Sequence, residues 1–351
     1  MKKIFKKSIL VAFALIISLA GMSYAEYDDS DYRVVRIAGR DRYDTAIKVD
    51  KDCSQKMRSN VAVISNGEQF KKSLYASYLA SSIDAHFYPT VKGYISKAIL
   101  NEILSNNVKK VYIVGDYNDL SKSIDNTLLS KNINVKRFTE NRGLDEAINL
   151  EIYSLIGKNF YGDVVMDIVI NDDKYPDLIA SLPFASRLSR KGLHLYDYKQ
   201  LVYGEDNRLE GAHFIIGGFN SVPRTVRTFL GDSELGLNYR TNEEGDIIWK
   251  YSGRLAGEDR YETAIEIARA NYPIFEQGID TVVIVDGDGY ADALSSSKEA
   301  MLHSGVILLT ESNKLNEKTK KFIKDNNIKN IIIVGGERSV SKDVEEELKS
   351  L

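Results

Sequence analysis

The sequence predicts an α/β protein of three tandem modules, each a small Rossmann-like or flavodoxin-like parallel sheet of about four strands covered by helices. Three observations carry this. RIAGRDRYDTA from Arg36 returns as RLAGEDRYETA from Arg254, 218 residues later, and in worn form as RFTENRGLDEA from Arg137. An apolar run entering a polar turn and then a helix occurs three times, as VAVISNGEQFKKSLYAS from Val61, VVMDIVINDDKYPDLIAS from Val164 and VVIVDGDGYADALSSS from Val282. A second apolar run closes on glycine in VYIVG, HFIIGG and IIIVGG, placing Gly115, Gly217 and Gly335 102 and 118 residues apart. That period exceeds the roughly 20–50 residues of solenoid repeats and marks whole domains.

Taken in order, the chain opens with a basic segment, MKKIFKK, then an apolar run from Ile9 to Ala20 and the small residues Ser23 and Ala25. This reads as a secretory signal peptide spanning 1–25, too short in its apolar part for a membrane span. The expectation is an exported protein with no membrane association after cleavage. Modules are expected at 26–134, 135–248 (the most divergent, with a C-terminal arm) and 249–351. Within each, RVVRIA or its counterpart is a short apolar run. DRYDTAIKVDKD then has helical spacing behind a capping Asp. VAVIS and VYIVG are buried-strand runs, and SLYASYLASSI, ISKAILNEILSNN and LSKSIDNTLLS are helices. Alternating strands and helices require crossovers, hence parallel sheets. Residues 231–253 are polar and Gly-rich but contain Ile247, Ile248 and Trp249, which favours a packed arm over a surface loop.

Charge and rare residues exclude several classes. The formal charge is −3, and −7 without the four signal lysines, so no nucleic-acid partner is expected. Cys53 is the sole cysteine and has no base near it in sequence, so neither a disulfide nor a thiol nucleophile is expected. The four histidines, His86, His194, His213 and His303, show no zinc-enzyme spacing. The 108- and 109-residue intervals linking His86, His194 and His303 read as coincidence. Asp286, Asp288 and Asp292 lack the frame of a calcium loop. No catalytic residue, metal or cofactor is expected, and the protein is read as not an enzyme.

Two residue sets remain as candidates. The opening arginines Arg36, Arg42, Arg137, Arg254 and Arg260, with Arg142, suit phosphate because a guanidinium donates in pairs; their phrase reads first as a fold and interface element, with polymer contact as the other reading. The strand-end turns, Asn66 and Gly67, Asn171 and Asp172, Asp286 and Gly287, then Gly115, Gly217, Gly218, Gly335 and Gly336, lie where open parallel sheets bind ligands, or simply end the strands.

These landmarks resemble the cell wall binding repeat 2 family of Gram-positive, especially clostridial, surface proteins. RLAGEDRYETA, ADALS (Ala291–Ser295), GVILLT (Gly305–Thr310) and IIVGGERSVS carry the match most fully. The resemblance implies three modules packed around a pseudo-threefold axis, and a secreted protein held non-covalently on anionic, teichoic-acid-like wall polysaccharide. It also implies polymer attachment at the Ile307, Leu308 and Leu309 strand, matched only in the third module. No separate effector domain is expected. The alternatives are a wall amidase or its modifier, and a module that binds other surface-layer proteins.

Overall fold

The structure, a computed structural model, describes residues 32–55, 58–139, 143–156, 166–201, 212–226, 236–241 and 247–351. The signal-peptide expectation, Arg142 and the Trp249 side chain lie outside the described residues. No described helix is long and apolar enough to cross a membrane.

Along the chain, β1 (Arg33–Ile37) leads into α1 (Arg42–Ser54), whose N-terminus is capped by the Asp41 carboxylate accepting from the Tyr43 and Asp44 amides. The first repeat continues through β2 (Val61–Asn66), α2 (Phe70–Ser82), β3 (His86–Thr90), α3 (Lys97–Ser105), β4 (Lys110–Val114) and α4 (Lys122–Leu129). The second has β5 (Asn134–Phe138), α5 (Leu144–Ile156), β6 (Met166–Ile170), α6 (Tyr175–Ser189), β7 (His194–Asp197), β8 (Ala212–Ile216) and β9 (Gly236–Thr241). The third has β10 (Ile247–Leu255), α7 (Arg260–Phe275), β11 (Thr281–Asp286), α8 (Tyr290–Ala293), α9 (Ser296–Leu302), β12 (Val306–Thr310), α10 (Glu317–Asp325), β13 (Asn330–Val334) and α11 (Lys342–Lys349). Asn107, Asn132 and Asn327 follow helices in the left-handed region, where asparagine is tolerated as a terminator.

Three sheets form, ordered β3-β2-β4-β5, β7-β6-β8-β10-β9 and β1-β13-β11-β12. The first and third are four-stranded and wholly parallel; in the middle sheet β9 adds an antiparallel fifth strand on β10. The segment read as an arm is therefore partly a strand pair in that sheet. The strand that opens each repeat joins the sheet before it. β5 pairs with β4, the end of β10 with β8, and β1 with β13 from the far end of the chain. The expected module limits at 134/135 and 248/249 fall inside β5 and β10. Sheet membership is cyclic, and the N-terminal strand closes the ring.

The buried-strand runs are apolar because parallel strands are covered on both faces. The central helices α2, α6 and the α8–α9 pair each pack on the other two. Their first residues, Phe70, Tyr175 and Tyr290, form an aromatic triangle with centroid separations of 6.5, 5.8 and 6.4 Å. This is the pseudo-threefold arrangement, and residues of all three modules share one core.

Candidate functional site

The carboxyl ends of the strands gather the opening phrase of one repeat against the turns of its neighbours. Gly115, Gly217 and Gly335 sit at φ of 132°, 102° and 131°, a region open to glycine. Each donates its amide to the last carbonyl of the incoming opening strand, on Phe138, Leu255 and Ile37, at 2.9–3.0 Å. Arg137, Arg254 and Arg36 from those strands return Nη1 to the same glycine carbonyls at 2.9, 2.8 and 2.8 Å. Arg36 also pairs with Glu345 at 2.7 Å, and Arg137 with Asp125. Arg254 is fully buried and reaches the carbonyls of Val222, Pro223 and Val226 as well. Of the two readings of their phrase, polymer contact and a fold and interface element, these three arginines follow the second: they are turned inward and fasten consecutive repeats. Their planar forks suit several carbonyls at once.

Arg42 and Arg260 stand differently. Each donates Nη1 to a turn carbonyl, Gly67 or Gly287, at 2.6 Å, and each stays partly exposed. Arg260 also meets Asp288 at 2.6 Å, and Arg42 lies 5.4 Å from the centre of the Tyr290 ring. Gly143 occupies the corresponding place in the second repeat. The turn residues are occupied too. Asn66 and Asn171 accept from Glu68 and Asp173 and donate to the carbonyls of Asp119 and Ser221, while Asp286 accepts from Asp288. The amides of Gly67 and Gly287 are bonded to Thr90 and Thr310. Gly336 lies 3.4 Å from the Asp292 carboxylate. Most of these donors are therefore spent on the fold. Ile307, Leu308 and Leu309 form the buried middle of β12, so their side chains cannot be a contact surface for polymer. Parallel-sheet burial on both faces is the physical reason.

Among the described residues, a site at this face is open. A crevice of about 530 Å³ lies between the second and third repeats. Lys174, Gly218, Phe219, Asn220, Asp259 and Arg260 line it, together with Asp177 and Ser221 at its base. Lys174 and Asn220 are exposed, and Gly218 faces the carbonyl of Gly257. Arg224 stacks over Phe219 at 4.0 Å, adding a cation beside the crevice. Burial raises the Asp177 carboxyl pKa, partly offset by its hydrogen bond with Ser221. Sequence reasoning had identified Gly218 and Arg260; Lys174, Phe219 and Asn220 carry no repeated motif that singles them out.

The equivalent base positions vary in concert. Asp292 accepts from Ser339 at 2.6 Å in the third repeat, and in the first the pair becomes Lys72 with Asp119. His86 and His194 occupy the same register, opposite Ala62 and Asp167, so their spacing reflects the repeat and is not coincidence. His86 contacts Asp50 at 2.9 Å, and Tyr88 and Lys298 converge on the same carboxylate at 2.5 and 2.6 Å. Burial raises the Asp50 pKa, but His86 and Lys298 outweigh it and hold it below the ordinary value. The Cys53 thiol is pushed far up by burial and by Glu299, opposite to what a thiolate nucleophile needs.

Comparison with known proteins accords with this geometry. The family model for cell wall binding domain 2 (CWB2) matches residues 36–125 and 254–345, together just over half of the chain. N-acetylmuramoyl-L-alanine amidase LytC of Bacillus subtilis (strain 168) is 23% identical over 327 residues, covering 92% of this chain and 59% of the amidase. The amidase enhancer of the same organism is 38% identical over 138 residues, covering 35% of this chain and 19% of the enhancer. Among solved structures, Cwp6 and Cwp8 from Clostridium difficile each superimpose with a TM-score of 0.66 at 20% and 18% identity. The matches cover 91% and 97% of this chain but 48% and 54% of those chains, so this chain spans about half their length.

Proposed function

We propose, because the chain belongs to the cell wall binding domain 2 family, that it is a secreted protein held non-covalently on the cell wall by anionic wall polymer. The polymer lies across the strand-end face and enters the crevice between the second and third repeats. The observation that carries this reading is the crevice itself: it is open, at the strand ends, and bordered by Lys174, Arg224 and Arg260. Acidic residues Glu258 and Asp259 share its rim, with Lys318 beside them at 3.4 and 3.1 Å. The mixed rim suits a polymer offering both phosphate and sugar hydroxyls. Weak contacts along a repeating polymer add through effective concentration.

We also read the chain as a binding body without wall-cleaving activity of its own. The inaccessible thiol of Cys53 supports this. The test is co-sedimentation of residues 26–351 with purified walls, intact and stripped of anionic polymer. Binding should vanish on stripping. Lys174→Ala with Arg260→Ala should weaken binding to intact walls about tenfold, since exposed charge contacts contribute up to about 1 kcal/mol each. Undiminished binding to stripped walls would sink the polymer reading, and a clearing zone in wall-containing gels would sink the non-catalytic one.

A further inference from the structure

We infer that the first repeat carries a sugar-stacking subsite, built from Tyr94 and Tyr117, for the pyranose rings of the wall polymer. The inference rests on the polymer reading above and adds a place and a chemistry to it: sugar rings are held on aromatic faces, apart from the charge contacts of the crevice. Tyr94 lies in the loop from β3 to α3 and Tyr117 in the loop from β4 to α4, so both stand at the carboxyl ends of the strands. They are 64% and 53% exposed. Tyr272, the other tyrosine of such exposure among the described residues, is in the last turn of α7. That helix starts at the strand-end face with Arg260, so Tyr272 lies at the opposite end of the molecule's sheets.

The two loops are pinned to each other. The Ser121 amide and the Ser123 hydroxyl donate to the carbonyls of Lys92 and Gly93, each at 2.8 Å, and the Thr90 hydroxyl donates to the Tyr94 carbonyl at 3.1 Å. Beside Tyr117, the Asp116 carboxylate accepts from the amides of Asn118 and Asp119. Rings on a fixed backbone lose little freedom when a ligand arrives. The third repeat keeps the pins, with the Ser341 amide on the Ser312 carbonyl at 2.7 Å and the Thr310 hydroxyl on the Lys314 carbonyl at 3.0 Å. Counted from Thr310 and Gly335, however, it has Lys314 and Glu337 where the first repeat has the two tyrosines. The loop scaffold therefore does not itself require aromatic side chains.

The second repeat supplies a separate observation. Counted from the strand-end glycine, Tyr117 corresponds to Phe219, which borders the crevice. Each ring has a junction arginine beside it, Arg137 at 4.5 Å from the Tyr117 centre and Arg254 at 4.7 Å from that of Phe219. Phe219 is half-buried and carries a second guanidinium, Arg224, at 4.0 Å. The counterpart of Arg224 in the first repeat is Lys122, and among the described residues no second cation is seated on Tyr117. Tyr117 thus keeps ring surface open where that of Phe219 is taken. Lys92, Asn118 and Lys122 are exposed around the two tyrosines. The apolar centre of a protein interface is depleted of such charges. An aromatic face within a polar rim suits a pyranose, whose C–H face stacks while its hydroxyls meet the rim.

Residues 26–351 and their variants would be sedimented with purified intact walls at low and high salt. Tyr94→Ala combined with Tyr117→Ala should weaken binding about tenfold. The loss should be the same at both salt concentrations, because stacking of uncharged rings is not screened. Tyr94→Ala alone removes a side chain with no hydrogen bond among the described residues; it should keep the wild-type Tm and weaken binding about threefold. Tyr94→Phe combined with Tyr117→Phe keeps both rings and should bind as the wild type does, as should Tyr272→Ala. Wild-type affinity in the double alanine variant, an equal loss in Tyr272→Ala, or a loss confined to low salt would overturn the subsite and leave the polymer reading in place. Undiminished binding of the wild type to walls stripped of anionic polymer would instead remove the polymer reading, and the assignment of the subsite to that polymer with it.

Discussion

Arg36, Arg137 and Arg254 perform the same task at different depths. Each donates to the glycine carbonyl that ends the neighbouring strand, but Arg36 and Arg137 also have carboxylate partners, whereas Arg254 is fully enclosed and reaches three further carbonyls. Replacing Arg254 by Met would leave those buried acceptors without their donor and cost about 3–5 kcal/mol. The same change at Arg36, on a partly solvated pair, should cost only about 1–2 kcal/mol. Urea unfolding of the two variants checks the order; equal losses would refute the role assigned to burial. Repetition made these arginines visible in the sequence, but their direction was not. An arginine beside a glycine strand end reads the same whether it faces solvent or the carbonyls. The enclosure of Ile307, Leu308 and Leu309 was more legible, because a continuous apolar run in a parallel sheet is covered on both faces.

At the level of elements, β1 shows what pattern reading misses. RVVRI is recognisable as a strand, and adjacency assigns it to the first repeat, yet it pairs residue for residue with Asn330–Val334. No local signal reports a partner nearly 300 residues away. The helices were easier, because capping residues and periodicity are local: Asp41, Asp259 and Ser341 each accept from an amide in the first turn as their positions suggest. Removing residues up to Ile37 should therefore injure the opposite end of the chain. β13 would lose one of its two parallel neighbours, Gly335 its bond to Ile37, and Glu345 its arginine. We expect a loss of about 3 kcal/mol or more, with hydrogen-exchange protection falling in 330–335 and persisting in Lys110–Val114. Loss confined to the first repeat would contradict the ring closure.

For the whole molecule, cyclic strand sharing joins what the sequence presents as three separable units. Each sheet is completed by a strand from a neighbouring repeat, and each central helix packs against both others. A lone repeat would expose the α2, α6 or α9 face and leave one sheet edge open. Residues Tyr32–Leu351 form one compact unit accordingly. Domains that share a core unfold together, whereas tandem domains with small interfaces separate into successive transitions. Differential scanning calorimetry of residues 26–351 should show one transition. Its van 't Hoff and calorimetric enthalpies should agree at about 230 kcal/mol, from about 0.7 kcal/mol per residue. Two or three resolved transitions, or a van 't Hoff enthalpy near a third of the calorimetric value, would mean that the repeats are independent. The crevice between the second and third repeats would then lack a fixed geometry. A single transition ties polymer binding to the integrity of all three repeats, including the junction closed by β1.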